Sequence, residues 1–239
     1  MQALRSVIFV VQMYVVMALM AVVFAPWALF SRAGAFFACH TYCAWVIWSL
    51  RQLCGLRCEV RGLPPTGEVV VAAKHQSFLD IILIFHAVPR GKFIMKRELI
   101  WAPFLGVYAL RMGCVPVDRG KRGAAIAKMK ADVAAGAADP GQLIIYPQGS
   151  RIAPGVKVPY KVGTGVLYEQ LGQPCVPVAV NVGLFWPRRG ILRKPGLAVV
   201  EFLEPIAPGL AVAEFMARLD GVIEPASDRL MAEAGFRGA

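Results

Sequence analysis

Between Ser6 and Ser31 the chain carries no charged residue. Wound as one helix, that run measures about 39 Å, enough to cross a hydrocarbon layer of about 30 Å. Pro26 lies inside it and predicts a kink. A second uncharged run, Ala33 to Leu50, gives about 27 Å as a helix. It holds Phe36, Phe37, Tyr42, Trp45 and Trp48; Tyr and Trp favour the headgroup level of a bilayer. Only Arg32 separates the two runs, so the expected arrangement is a membrane-embedded helical hairpin half-sunk in one leaflet. The sequence leaves a crossing hairpin open. A cleaved leader is disfavoured, because the run is too long and more apolar sequence follows it. Arg51, Arg57 and Arg61 come next, and the bias of basic residues places the remaining body on the cytoplasmic face, at the inner membrane in a bacterium.

Of the 239 residues 57% are hydrophobic and 17% charged, against about 25% charged in ordinary soluble domains. This excludes a disordered chain and an ordinary all-soluble one. Arg5 and Arg32 are the only charges before Arg51, leaving 24 bases, 15 acids and a balance of +9 in the rest. A basic body fits an anionic partner, phospholipid or nucleic acid. Nucleic-acid binding calls for aromatics interleaved with bases on an exposed face, whereas the aromatics here concentrate in the apolar head. A lipid partner is therefore expected, and no nucleic acid. The six cysteines include Cys39/Cys43 and Cys54/Cys58. Their C-x3-C spacing is unlike the usual zinc pairs, so no metal site is expected and the thiols read as small buried hydrophobes in a reducing compartment.

The expected organisation is membrane-associated helices over 1–55 and an α/β domain over 56–239, with a mostly parallel sheet flanked by helices. Strands are expected at Val69–Ala73, Phe93–Met95, Cys114–Val117, Leu143–Tyr146, Val176–Asn181 and Leu197–Phe202. Helices are expected at Phe78–Ala87, Trp101–Met112, Arg122–Ala135, Val162–Leu171 and Ala211–Met231, the last interrupted near Gly221 and Pro225. Strand–helix alternation of this kind implies sites at the carboxyl ends of strands. Pro174 and Pro177 point to an edge or strand start. Gly163 and Gly165 form a lone G-x-G that reads as helix packing. The chain has no G-x-S-x-G elbow, no phosphate-binding P-loop and no G-x-G-x-x-G.

The chemistry concentrates in KHQSFLD, directly after the VVVAA strand. Ser77 suits a helix N-cap, and Asp80 falls at the capping-box position. The turn into that helix can fold Asp80 onto His75, fixing one ring nitrogen and leaving the other to take a proton from a hydroxyl. The plain alternative is a capping residue and a loop histidine. His40 and His86 have no such neighbours and read as structural. A second segment, LIIYPQGSR, runs a buried strand into a turn with glycine amides and Arg151, the ingredients of a phosphate clamp. Lys96, in FIMKREL, and Arg119, in GCVPVDR, also follow short strands.

In this order the segments resemble the four blocks of the glycerolipid acyltransferase family, in particular its 1-acyl-sn-glycerol-3-phosphate (lysophosphatidate) acyltransferases. KHQSFLD is similar to the N-H-x4-D block, GCVPVDR to the second, YPQGSR to F-P-E-G-T-R, and CVPVAV to the fourth; Lys96 to Leu99 match a K-x-E-L element. The resemblance covers roughly residues 65–185. It implies His75 as general base and Asp80 as its orienting partner. It implies Lys96, Gly149, Ser150 and Arg151 around the acceptor's phosphate, with Arg119 a further contributor. It also implies acyl transfer from a thioester, acyl-CoA or acyl carrier protein, to the free hydroxyl of lysophosphatidate, with no metal, no other cofactor and no acyl-enzyme. Two positions depart from the pattern. Gln148 replaces a glutamate and keeps an acceptor that could brace the loop. Lys74 replaces an asparagine and sets a cation next to His75 in sequence, which favours a neutral, proton-accepting imidazole. These departures keep open a different lysolipid acceptor, such as a lyso-aminolipid, and a non-catalytic membrane-binding protein.

Overall fold

The computed structural model describes residues 1–117, 127 and 140–237. Of the expected helix Arg122–Ala135 only residue 127 is described, and it is helical; Arg119 lies outside the described residues. The first uncharged run is two helices, not one. α1 (Gln2–Val23) stops before Pro26, which occupies the first turn of a short α2 (Ala25–Phe30), where its missing N–H costs nothing. Ser31 then caps α3 (Arg32–Ser49) by accepting from Gly34 N. A π-helical turn, Leu50–Cys54, leads into the body.

The described residues of the body form a seven-stranded sheet: β1 (Leu56–Arg61), β2 (Val69–Ala73), β3 (Gly91–Lys96), β4 (Val115–Val117), β5 (Gln142–Ile145), β6 (Cys175–Val180) and β7 (Gly196–Phe202). Their spatial order is β1-β7-β6-β2-β5-β3-β4, and every pairing is parallel except β6 with β7. The carboxyl ends of β6, β2, β5, β3 and β4 therefore share one edge. β2 pairs on both sides and is packed on both faces, which is why VVVAA is an unbroken apolar run. β1 is an edge strand whose charged Arg57, Glu59 and Arg61 blunt that edge; its mixed sequence gave no strand expectation.

Three expectations need correction. β6 is interior and not an edge: Pro174 stands just before its first residue, as the strand-start alternative has it, but Pro177 lies within it. Pro177 faces β7, where its carbonyl accepts from Leu203 N just past that strand's end at Phe202; the donor it lacks therefore falls at the end of the β6–β7 pairing and not in the ladder with β2. Trp101–Met112 is not one helix: a 3₁₀ turn, Arg97–Trp101, precedes α5 (Leu105–Arg111). Pro103 holds Ala102 extended and breaks the path. The C-terminal helix α7 (Val212–Glu233) runs straight through Pro225. The residue four back is Gly221, and Phe215, Leu219, Ile223 and Leu230 pin both halves against the sheet.

α4 (Leu79–Ala87) and the hairpin cover one face of the sheet; α6 (Gly163–Leu171) and α7 cover the other. The first core runs unbroken from Phe9, Met13 and Val46 of the hairpin to Val71, Val178 and Ile84. The second joins Val70, Ala72, Tyr168 and Phe215. A Cβ on Gly165 would meet Val212 and Met216 at 2.8 and 2.9 Å, so this glycine serves helix packing, as expected. The hairpin lies along the body. Gln2 Nε2 donates to the carbonyls of Cys54 and Arg193 at one end. Tyr108 Oη donates to Ala21 O and Arg111 Nε to Ala28 O at the other. Its outer face, including Ile8, Val11, Val15, Leu19 and Val22, is exposed and apolar.

Candidate active site

β2 ends at Ala73, and the chain turns through His75 into α4. Asp80 is fully buried at the start of that helix. Its Oδ2 accepts from the backbone N–H groups of Gln76 and Ser77 at 2.8 and 2.7 Å. Ser77 Oγ in turn accepts from Leu79 N at 3.1 Å. Only half of the expected capping box forms: Asp80 reaches back to Ser77 N, but Ser77 Oγ accepts from Leu79 N instead of Asp80 N, and Phe78 holds the N-cap position. The other oxygen of the same carboxylate, Oδ1, lies 2.8 Å from Nδ1 of His75. Capping and imidazole orientation, alternatives in the sequence, coexist in one side chain. The imidazole is 12% exposed, and among the described residues nothing hydrogen-bonds its Nε2.

Three contacts that fix this turn were not legible beforehand. Tyr146, the residue after β5, stacks on His75 with ring centroids 3.9 Å apart. Its hydroxyl is sealed without a hydrogen-bond partner among the described residues. Burial, and then the neighbouring Asp80 charge, push the phenol well above its usual pKa and keep it neutral. Gln76 is fully buried and accepts from Gly183 N at 3.0 Å, tying the turn to the end of β6. His75 O accepts from Ile152 N at 2.8 Å, tying it to the turn after β5.

That second turn holds Gly149, Ser150 and Arg151. Gly149 has φ +71°, a conformation that favours glycine, and its N–H donates to Tyr146 O. Gly149 and Ser150 are exposed and Arg151 half-buried. Among the described residues the Arg151 guanidinium has no acidic partner. Lys96 ends β3 on the same sheet edge, one strand beyond β5, but its ammonium pairs with Glu98 at 2.8 Å. Arg119 lies outside the described residues. Gln148 is buried, and both ends of its amide lack hydrogen-bond partners among the described residues. Among the described residues its amide therefore braces the loop through no hydrogen bond.

Lys74 also differs from expectation. Successive residues of a strand point to opposite faces. His75 follows Val71 and Ala73 toward the hairpin side, while Lys74 follows Val70 and Ala72 toward α7. There its ammonium is buried against Glu224 at 2.5 Å. Its charge is met on the far face and is not a neighbour of the imidazole. His40 and His86 sit together beside Phe85, with ring centroids 6.0 Å apart, against the hairpin. All six cysteines are free. Among the described residues no three His, Cys, Asp or Glu side chains come together as metal ligands.

A family profile described as Acyltransferase matches residues 57–181, just over half of the chain and the whole strand-end cluster. This chain belongs to the acyltransferase family. A 1-acyl-sn-glycerol-3-phosphate acyltransferase of Pseudomonas aeruginosa is 29% identical over 203 residues, covering 82% of this acyltransferase and 77% of the relative. The human 1-acyl-sn-glycerol-3-phosphate acyltransferase alpha is 33% identical over 136 residues, covering 55% of this chain and 48% of its own. A relative of the same name from Limnanthes alba is 31% identical over 193 residues, covering 79% and 66%. The chain thus spans about half the length of the human relative and most of the bacterial one. The crystal structure of the lysophosphatidate acyltransferase PlsC from Thermotoga maritima superposes with a TM-score of 0.80 at 22% identity, covering 97% of this chain and 98% of that one. It shares the mostly parallel sheet and flanking helices described above.

Proposed function

We propose that this acyltransferase moves an acyl chain from a thioester to the free hydroxyl of lysophosphatidate, giving phosphatidate. The observation that carries the reading is the imidazole of His75, held at Nδ1 by a buried carboxylate and open at Nε2 among the described residues, beside the turn that bears Arg151. His75 Nε2 takes the hydroxyl proton as the acceptor oxygen attacks the thioester carbonyl. The tetrahedral intermediate collapses, the C–S bond breaks, and the imidazolium returns the proton to the leaving thiolate. A thioester is already activated, so base, positioning and charge stabilisation suffice without a covalent enzyme intermediate. Asp80 stabilises the imidazolium and fixes the tautomer. Arg151, with Lys96 on the same edge, holds the acceptor's phosphate.

We infer that the hairpin lies in one leaflet. α1 and α2 are fastened to the body from Gln2 to Ala28, so a crossing hairpin would drag the body into hydrocarbon. With the basic body on the cytoplasmic face, the lysolipid reaches His75 without leaving the lipid. The donor is acyl-CoA or acyl carrier protein; the +9 body suits either acidic partner. Detergent-purified protein given a thioester donor should acylate lysophosphatidate and fail on monoacylglycerol and on a lyso-aminolipid, which lack the phosphate. Equal turnover of the phosphate-free acceptors defeats the clamp, and no turnover of any acceptor defeats the enzyme reading.

A further inference from the structure

The turn after β5 carries a cation that no sequence block picks out. Lys161 lies ten residues past Arg151, yet its backbone N–H donates to Pro147 O at 3.0 Å. A Cβ built on Gly149 would sit 2.7 Å from its Nζ. The ammonium therefore lies directly against the backbone of Gly149, on the turn that bears Arg151. Among the described residues neither Lys161 nor Arg151 has an acidic partner, whereas Lys96 is met by Glu98. Two like charges on one turn repel unless an anion lies between them. The buried amide of Gln148, on the same turn, has both of its ends unpartnered among the described residues.

Lys161 is also mounted from behind. The hydroxyl of its neighbour, Tyr160, donates to Glu224 Oε1 at 2.7 Å. Glu224 is held in turn by the buried ammonium of Lys74, at the root of the His75 turn. The ion pair on the far face of the sheet thus fixes the segment that brings Lys161 to the Gly149 turn.

We propose that Lys161 is a further phosphate-binding residue, pairing with Arg151 across the Gly149 turn, and that Tyr160, through Glu224 and Lys74, is its positioning residue. The proposal rests on the lysophosphatidate reading and names which cation completes its clamp. With lysophosphatidate as acceptor, Lys161→Gln should raise the acceptor KM by about tenfold or more, with a smaller fall in kcat and an unchanged donor KM. Lys161→Arg should recover most of the loss. Tyr160→Phe should raise the acceptor KM in part, and the double variant should be no worse than Lys161→Gln alone. A fall in kcat with acceptor KM unchanged, or fully additive losses, overturns the proposal. Binding of glycerol 3-phosphate to the solubilised full chain, measured by calorimetry, needs no turnover. It should weaken at least several-fold in Lys161→Gln. If lysophosphatidate is not acylated but this weakening is seen, the substrate reading falls and the phosphate site stands. Equal binding by wild type and variant overturns the site itself.

Discussion

Asp80 and His75 are joined through a carboxylate that also caps a helix: Oδ1 meets the imidazole at 2.8 Å while Oδ2 takes two backbone N–H groups at the head of α4. An asparagine cannot accept at both ends, since one of its ends is a donor. Asp80→Asn should therefore turn either the helix start or the ring against it. We expect kcat to fall by about 10²–10⁴ in Asp80→Asn, and at least as far in His75→Ala. The double variant should be no worse than the poorer single one, because the two act as a unit. Turnover rates of folded variants, with circular dichroism as control, decide this. A loss under tenfold in His75→Ala removes the base from the mechanism.

Gly149 offers a gentler probe. Its φ of +71° strains any L side chain, and the new Cβ would press on the Lys161 ammonium. Gly149→Ala should cost about 1–2 kcal/mol of stability. Lys161 ends a flexible chain, so it moves aside and the fold survives. The visible result should be a modest fall in Tm with a raised acceptor KM. A lower Tm with unchanged acceptor KM would separate the turn's strain from substrate binding.

Lys74 and Glu224 carry a prediction about folding. Glu224→Gln strands a buried ammonium, which typically costs about 3–5 kcal/mol. Replacing both partners, Lys74→Met with Glu224→Met, removes the charges together and should restore much of that loss. Urea unfolding of the wild type and both variants tests the pair. Equal stability of Glu224→Gln and wild type would mean that the ammonium is solvated and the pair is not buried.

These contrasts show what the sequence carries. The strands were legible because VVVAA, LII and VPVAV are short apolar runs ended by turn chemistry, and the parallel sheet follows from their alternation with helices. His75 and Asp80 were legible because both lie on one turn, within local reach. Tyr146, Gly183 and Lys161 were not, because their roles arise from contacts between turns brought together by strand order. Lys74 misled for a related reason. Adjacency in sequence became opposition in space once β2 was a strand. The path through Pro225 was equally hidden, since apolar anchors on both sides outweigh a local breaker.

Alkaline pH should weaken the fold in a defined window. Burial pushes the Cys114 thiol up to about 11 and that of Cys175 up to about 12, from 9.0 for a free thiol. Above about pH 9 the unfolded chain releases these protons while the native chain retains them. The unfolded state then binds fewer protons, so stability falls as pH rises, by up to about 1.4 kcal/mol per unit for each thiol. Below pH 9 both states hold neutral thiols and the effect vanishes. Urea midpoints between pH 8.5 and 10.5 should drop less steeply in Cys114→Ala and Cys175→Ala than in wild type. Parallel slopes would place these thiols in contact with solvent.

The hairpin's depth can be read from its tryptophans. Trp27 and Trp48 are 47% and 53% exposed on the hairpin, whereas Trp186 is buried beneath it. Because α1 and α2 are fastened to the body over their length, only the outer face can enter lipid, to about 5–10 Å as for other interfacial helices. In a variant that keeps Trp27 alone, bromine near the glycerol end of the acyl chain should quench more strongly than bromine near the terminal methyl. A hairpin that crosses the bilayer would bring both helices past the terminal methyl groups. Trp27 at the bend and Trp48 at the end of α3 would then lie near opposite surfaces, so the deciding probe is a lone tryptophan at mid-α1, Val11→Trp, on the exposed face: stronger quenching there by the deep label would establish the crossing and require the body to release α1.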